Sequence, residues 1–156
     1  QAIAEFAPEM AKNGNEVIFV DGNGGAAAAE HRVYADGSKT YRLLSNLLSN
    51  AQKYSAPGTR VYATVSDGPA LAGPDGTPAA SRTTVFELKN TSAEPLNISA
   101  AELMERFVRG DRSRGETEGN GLGLSIARDL AALMGGDLTL TIDGDLFKAT
   151  VTLPKE

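Results

Sequence analysis

Cysteine is absent from this 156-residue chain, and histidine occurs once. The first absence rules out a disulfide framework, a thiolate metal site and a cysteine nucleophile. Long apolar runs are missing as well: none approaches the roughly 20 residues that cross a bilayer, and nothing at the N-terminus resembles a signal peptide. Positive charge is the minority sign, with 15 Lys and Arg against 20 Asp and Glu, a net charge of −5 and a pI of about 4.9. That balance argues against a general nucleic-acid surface. What is present suits one soluble globular domain, with 41% hydrophobic and 22% charged residues and enough chain to bury a core. The chain begins at Gln1 rather than Met, so we expect a piece of a longer protein whose remainder could hold a membrane anchor.

One stretch runs against the acidic background. Arg106, Arg109, Arg112 and Arg114 crowd together with only Glu105 and Asp111 opposing them. A local basic patch on an acidic protein fits a small anionic ligand better than a polymer.

Along the chain, residues 1–13 read as a helix tail stopped by Asn13-Gly14, and "EVIFV" at 16–20 as a short strand. "DGNGGAAAAE" reads as a loop and "RVYAD" as a second brief strand. Asp36 or Ser38 is placed to cap a helix that runs to just before Gly58. "TRVYATVS" and "TTVFELKN" alternate as strands, and the Gly/Pro/Ala-rich stretch between them reads as a mobile hairpin loop, which makes the two an antiparallel pair. "SAAELMERF" carries a capping-box pattern, Ser99 with Glu102 three residues on. Residues 108–120 read as exposed and mobile. "LGLSIARDLAALM" is an amphipathic helix ending at Gly135-Gly136, and Asp143-Gly144-Asp145 joins two final strands. This order implies a two-layer α/β sandwich in a single domain spanning 1–156.

The helix around "LLSNLLSNAQKYS" carries carboxamides at a four-residue interval. With Asn46 at zero on a helical wheel, Asn50 falls near about 40° and Lys53 near about 340°. Tyr54 flanks them, and Leu44, Leu47, Leu48 and Ala51 fill a separate arc, so the wheel predicts a polar stripe opposite the core. A solvated helix face would look the same. Asparagine is a poor helix former, however, because its side chain competes for backbone hydrogen bonds, and ligand binding would compensate for two of them. Carboxamide oxygens can hold a hard cation such as Mg²⁺ without adding charge, and an ammonium beside them can meet phosphate.

"GNGLGLSIARDL" sets Gly119, Gly121 and Gly123 directly before a helix, where close backbone approach and free N–H groups favour an anion. A flexible loop would read alike. No strand precedes it as a Rossmann turn requires, and a Walker A lysine is missing.

Taken together, the order of these signals resembles the catalytic and ATP-binding domain of sensor histidine kinases, in the Bergerat-fold GHKL superfamily. "NLLSNAQKYS" looks like the N box, "LMERFVRGDRSR" like the F box and "GNGLGLSIA" like the G2 box. The resemblance covers the chain from about Glu16. It implies a mixed, mostly antiparallel sheet of about five strands on about three helices. It implies ATP and Mg²⁺ as ligands: Asn50 and Asn46 on the metal, Lys53 on the phosphates, Tyr54 against the nucleotide, and Arg109 steadying the transferred phosphoryl. Gly119, Gly121, Leu122, Gly123 and Leu124 would bind the nucleotide, the three glycines forming the hinge-like end of a lid over residues 108–121. Partners implied are a histidine-bearing dimerisation domain outside this chain and a response regulator. The location implied is a cytoplasmic domain, without direct membrane contact, of a membrane-anchored parent.

The G1 box, Asp-x-Gly-x-Gly in the family, is replaced by "NTSAE": Asn90 stands for the aspartate, Ser92 and Glu94 for the glycines. Asn90 can still accept a hydrogen bond from adenine, with weaker affinity expected. His31 reads as an exposed loop residue and not as a phosphoacceptor. Kept beside histidine phosphotransfer are a nucleotide-sensing module without catalysis and an anti-sigma-type serine kinase. Gyrase-like or MutL-like ATPase activity is disfavoured because the N-box helix lacks a glutamate.

Overall fold

The computed structural model describes residues 1–22, 31–69, 75, 82–96, 99–105 and 122–155. Its named elements are α1 (Ala2–Lys12), β1 (Glu16–Asp21), α2 (Gly37–Tyr54), β2 (Arg60–Gly68), β3 (Thr83–Thr91), α3 (Leu122–Leu133), β4 (Asp137–Asp143) and β5 (Leu146–Pro154). A further helical turn covers residues 100–105.

The glycine stops act as the sequence predicts. At the end of α1 the Gly14 N–H donates to Ala11 O and the Asn15 N–H to Met10 O, with Gly14 at φ 72°. At the end of α3 the Gly135 N–H donates to Ala132 O and the Gly136 N–H to Ala131 O, with Gly135 at φ 77°. Both are Schellman caps, in which a left-handed residue lets the following N–H groups satisfy the last carbonyls. Asp36 caps α2 by accepting from the Lys39 N–H at 2.9 Å. The helix ends at Tyr54, short of Gly58, and Ser55 closes it by donating its N–H to Ala51 O. The Ser99/Glu102 capping box is formed reciprocally, at 3.2 and 3.4 Å.

The sheet runs β1-β2-β3-β5-β4, with β1 and β2 parallel and every other pair antiparallel. A parallel pair needs a crossover connection, and α2 lies in it. One face is covered by helices. Val61, Ala63, Leu88, Leu138, Phe147, Ala149, Val151 and Leu153 are buried there against Leu43, Leu47, Leu48 and Ala51 of α2 and Leu124, Ala127, Leu130 and Ala131 of α3. On the other face β3 and β5 carry polar side chains such as Glu87 and Lys148, which pair at 3.5 Å. This is the two-layer sandwich expected from the sequence.

"RVYAD" is not a strand. Only Val33 pairs, in one isolated bridge to Lys155, because the chain turns at once into the Asp36 cap of α2. The alanine run at 23–30, the loop at 70–81 apart from Asp75, and the lid expected over 108–121 lie outside the described residues.

Candidate functional site

The C-terminal half of α2 carries Asn46, Asn50, Lys53 and Tyr54, and two other segments converge on it. The first is the start of α3. A Cβ on Gly123 would lie 3.7 Å from Asn46 Cβ and 3.9 Å from its Cγ, so the glycine turn and the N-box helix face each other at contact distance. Such a distance is ordinary packing, so a methyl group would fit there. Packing alone does not require a glycine at 123.

The second segment follows β3. Ala56 donates its N–H to Thr91 O at 2.8 Å, Ala93 to Tyr54 O at 2.8 Å, and Ser92 to Asp145 O at 2.7 Å. Residues 91–93 are thereby stitched across the end of α2 and to the β4–β5 turn. Asn90, just before them, is 3% exposed and pairs with Phe147. Ser92 Oγ donates to Glu94 O at 2.7 Å, and Glu94 itself is exposed. Asn90, Lys53 and Tyr54 are therefore held at one end of one helix.

The helical wheel needs one correction. Asn46 and Asn50 are half-buried rather than opposite the core, and Leu43, which the wheel puts between Asn50 and Tyr54, is fully buried. The reason is α3, which packs along that side of α2 and covers the carboxamides. Covering has a consequence: Asn46 Nδ2 is buried and has no hydrogen-bond partner. An orphaned buried donor of this kind costs about 1–3 kcal/mol, and a ligand acceptor in the cleft would relieve it. Leu124 is 1% exposed and belongs to the core, so only its backbone could meet a ligand. Gly119, Gly121 and Arg109 lie outside the described residues, as does the side chain of Leu122.

Among the described residues no three His, Cys, Asp or Glu side chains are grouped to hold a metal. A divalent cation at Asn46 and Asn50 would take its remaining oxygens from phosphate and water, the usual habit of Mg²⁺. The donor set fits that ion arriving with a nucleotide.

His31 departs from its expected exposure. Its side chain is only 10% exposed, with Nδ1 3.5 Å from Asp67 Oδ1 and Nε2 3.7 Å from Asp21 Oδ1. The imidazole thus lies between two carboxylates. Lys155 donates to Asp67 at 2.7 Å, and this bond first, with His31 contributing, holds the Asp67 carboxyl below its ordinary range. No sequence signal marked this group, since its members lie in four separate segments.

A helix-covered mixed sheet whose crossover helix faces a glycine turn defines a class of nucleotide-binding ATPase domains. The chain belongs to the family of histidine kinase-, DNA gyrase B- and HSP90-like ATPases, whose profile matches residues 35–156. Within it the similar proteins include sensor proteins and sensor histidine kinases. The chain is 29% identical to the sensor protein VanS of Enterococcus faecium over 155 residues, 99% of this chain and 35% of that protein. It is 34% identical to the sensor histidine kinase RppB of Synechocystis over 128 residues, 78% of this chain and 25% of that protein. The chain thus spans between 25% and 35% of the length of these relatives. The catalytic domain of the histidine kinase ThkA, in a nucleotide-free form, superposes with a TM-score of 0.71 at 21% identity, covering 99% of this chain and 89% of that one. Full-length ShkA in complex with AMPPNP gives 0.68 at 22% identity, covering 99% and 28%. The expected fold and family are both borne out.

Proposed function

We propose that this chain is the phosphotransfer domain of a sensor histidine kinase, presenting Mg-ATP to a histidine on a dimerisation domain outside it. In that reaction the bond from the γ-phosphorus to the bridging oxygen breaks, ADP leaves, and a phosphorus–nitrogen bond forms to the acceptor imidazole. The imidazole proton passes to a base that lies outside this chain. Such chemistry depends on positioning and charge.

Asn50 and Asn46 would hold the Mg²⁺, which neutralises phosphate charge when bound. Lys53 would meet the phosphates, Tyr54 would lie against the nucleotide, and Asn90 would accept from the adenine amino group. Arg109 would steady the departing phosphoryl, and the lid at 108–121, hinged at Gly119, Gly121 and Gly123, would exclude water. A response regulator would receive the phosphoryl downstream. Among the described residues no helix is long and apolar enough to cross a membrane; the reading places the domain in the cytoplasm, with the anchor elsewhere in the parent.

The observation that carries this reading is the unpartnered, buried Asn46 amide set against Gly123. Isothermal titration with Mg-ATP tests it. Saturable binding is expected, weakened at least about tenfold in Asn50→Ala, as for loss of a charge-assisted contact. Absence of binding at millimolar Mg-ATP would remove the reading.

A second reading, nucleotide sensing without transfer, is favoured by the carboxamide at Asn90. Fusing the chain to a histidine-bearing dimerisation domain and following labelled phosphate separates the two, since only a kinase labels the acceptor.

A further inference from the structure

A cavity of about 280 Å³ lies between the sheet and the N-terminal half of α2. Its walls include Leu43, Val65, Phe86, Val151 and Leu153, with Thr40, Thr84 and His31 as its polar residues. It is remote from the nucleotide end: Thr84 and Asn90 are six positions apart on β3, about 20 Å at ~3.3 Å per residue.

Two polar atoms of this lining are buried without a hydrogen-bond partner, Thr84 Oγ1 and His31 Nε2. Thr84 is 7% exposed and the His31 side chain 10%. Buried polar atoms are paired in the great majority of cases, so two orphans in the wall of one apolar cavity point to a missing partner. The chemistry of that partner follows from the walls. His31 Nε2, 3.7 Å from Asp21 Oδ1, lies beyond hydrogen-bond distance of that carboxylate and can pair with a hydroxyl. Thr84 can donate or accept. Asp21 and Asp67 both face the imidazole, which disfavours an anion. The Thr40 hydroxyl in the wall is already engaged with Asp36 O, and the remaining walls are hydrocarbon.

We propose that this cavity is a second ligand site, for a small, uncharged, largely apolar molecule bearing a hydroxyl-type group. The hydroxyl pairs with His31 Nε2 or with Thr84 Oγ1, and the apolar body fills the space beneath Leu43 and Phe86. The site is independent of the nucleotide assignment, since it uses none of the same side chains.

The probe is 2-naphthol, a neutral bicyclic alcohol, titrated into the chain and followed by amide and methyl NMR shifts. Saturable shifts at Val65, Val151 and Leu153 are expected, with 2-naphthalenesulfonate much weaker because of its charge. Thr84→Val is nearly isosteric, so the fold is kept. It should weaken 2-naphthol at least about fivefold, the value of one net hydrogen bond, while leaving naphthalene unaffected. Val65→Phe should fill the space and abolish the shifts in a protein whose remaining spectrum is native. No saturable shift, shifts gathered at Asn46, Asn50 and Gly123, or equal affinity in Thr84→Val would each overturn the proposal.

Discussion

Asn46, whose amide nitrogen is buried, and the buried Asn90 matter most to the nucleotide reading, and they pose opposite problems. The Asn46 amide lacks a partner, and asparagine is a weaker helix former than alanine. Asn46→Ala should therefore leave the melting temperature unchanged or slightly raised while weakening Mg-ATP. A calorimetric melt beside a binding titration checks both at once, and a large fall in melting temperature would show that the amide serves the fold instead. Asn90 is 3% exposed on β3. Asn90→Asp places a charge where water scarcely reaches, which costs stability without ligand. The charged acceptor should in turn bind adenine more tightly, by at least about fivefold, since charge-assisted bonds exceed neutral ones by ~1 kcal/mol or more. Submicromolar Mg-ATP binding by the unaltered chain would refute the expected weakness of Asn90.

Among the elements, α2 combines the crossover between parallel strands with the ligand-bearing face. Its N-terminus depends on Asp36, whose carboxyl is held well below its ordinary value by the Ser38 hydroxyl and then by the Lys39 N–H. A depressed folded value means that the stabilisation is complete above the unfolded value, about 3.9, and is lost as pH falls through the folded one. Asp36→Ala should melt lower at pH 7, and the gap to the unaltered chain should narrow from about pH 4 downward. A gap constant across that window would mean that the carboxylate charge contributes nothing. The elements were legible in the sequence wherever local chemistry fixed them. Gly14 and Gly135 supply left-handed caps, Asp36 and Ser99 supply N-caps, and Gly144 closes the final hairpin at φ 58°. "RVYAD" was misleading because alternation alone cannot tell whether a neighbouring strand is there to pair with. The wheel likewise separated α2 into faces but could not see that α3 would cover the polar one.

Across the whole molecule, one core joins all three helices to the sheet, so its loss should be global. Leu47, 1% exposed at its centre, should cost about 2–5 kcal/mol as Leu47→Ala. Helical and nucleotide-site probes should then report the same shifted midpoint in denaturant. Separate midpoints would reveal independent units. Much of the nucleotide site could be read from sequence because its motifs are contiguous and ordered. The apolar cavity could not, because Phe19, His31, Thr84 and Leu153 meet only through strand order. Strand order also sets where the backbone can be reopened. Circular permutation with new ends between Asp143 and Asp145 would cut the turn whose carbonyl holds the Ser92 N–H, freeing the segment that braces the end of α2. New ends between Pro69 and Arg82 would instead divide two antiparallel neighbours already in register at Gly68 and Thr83, leaving that brace whole.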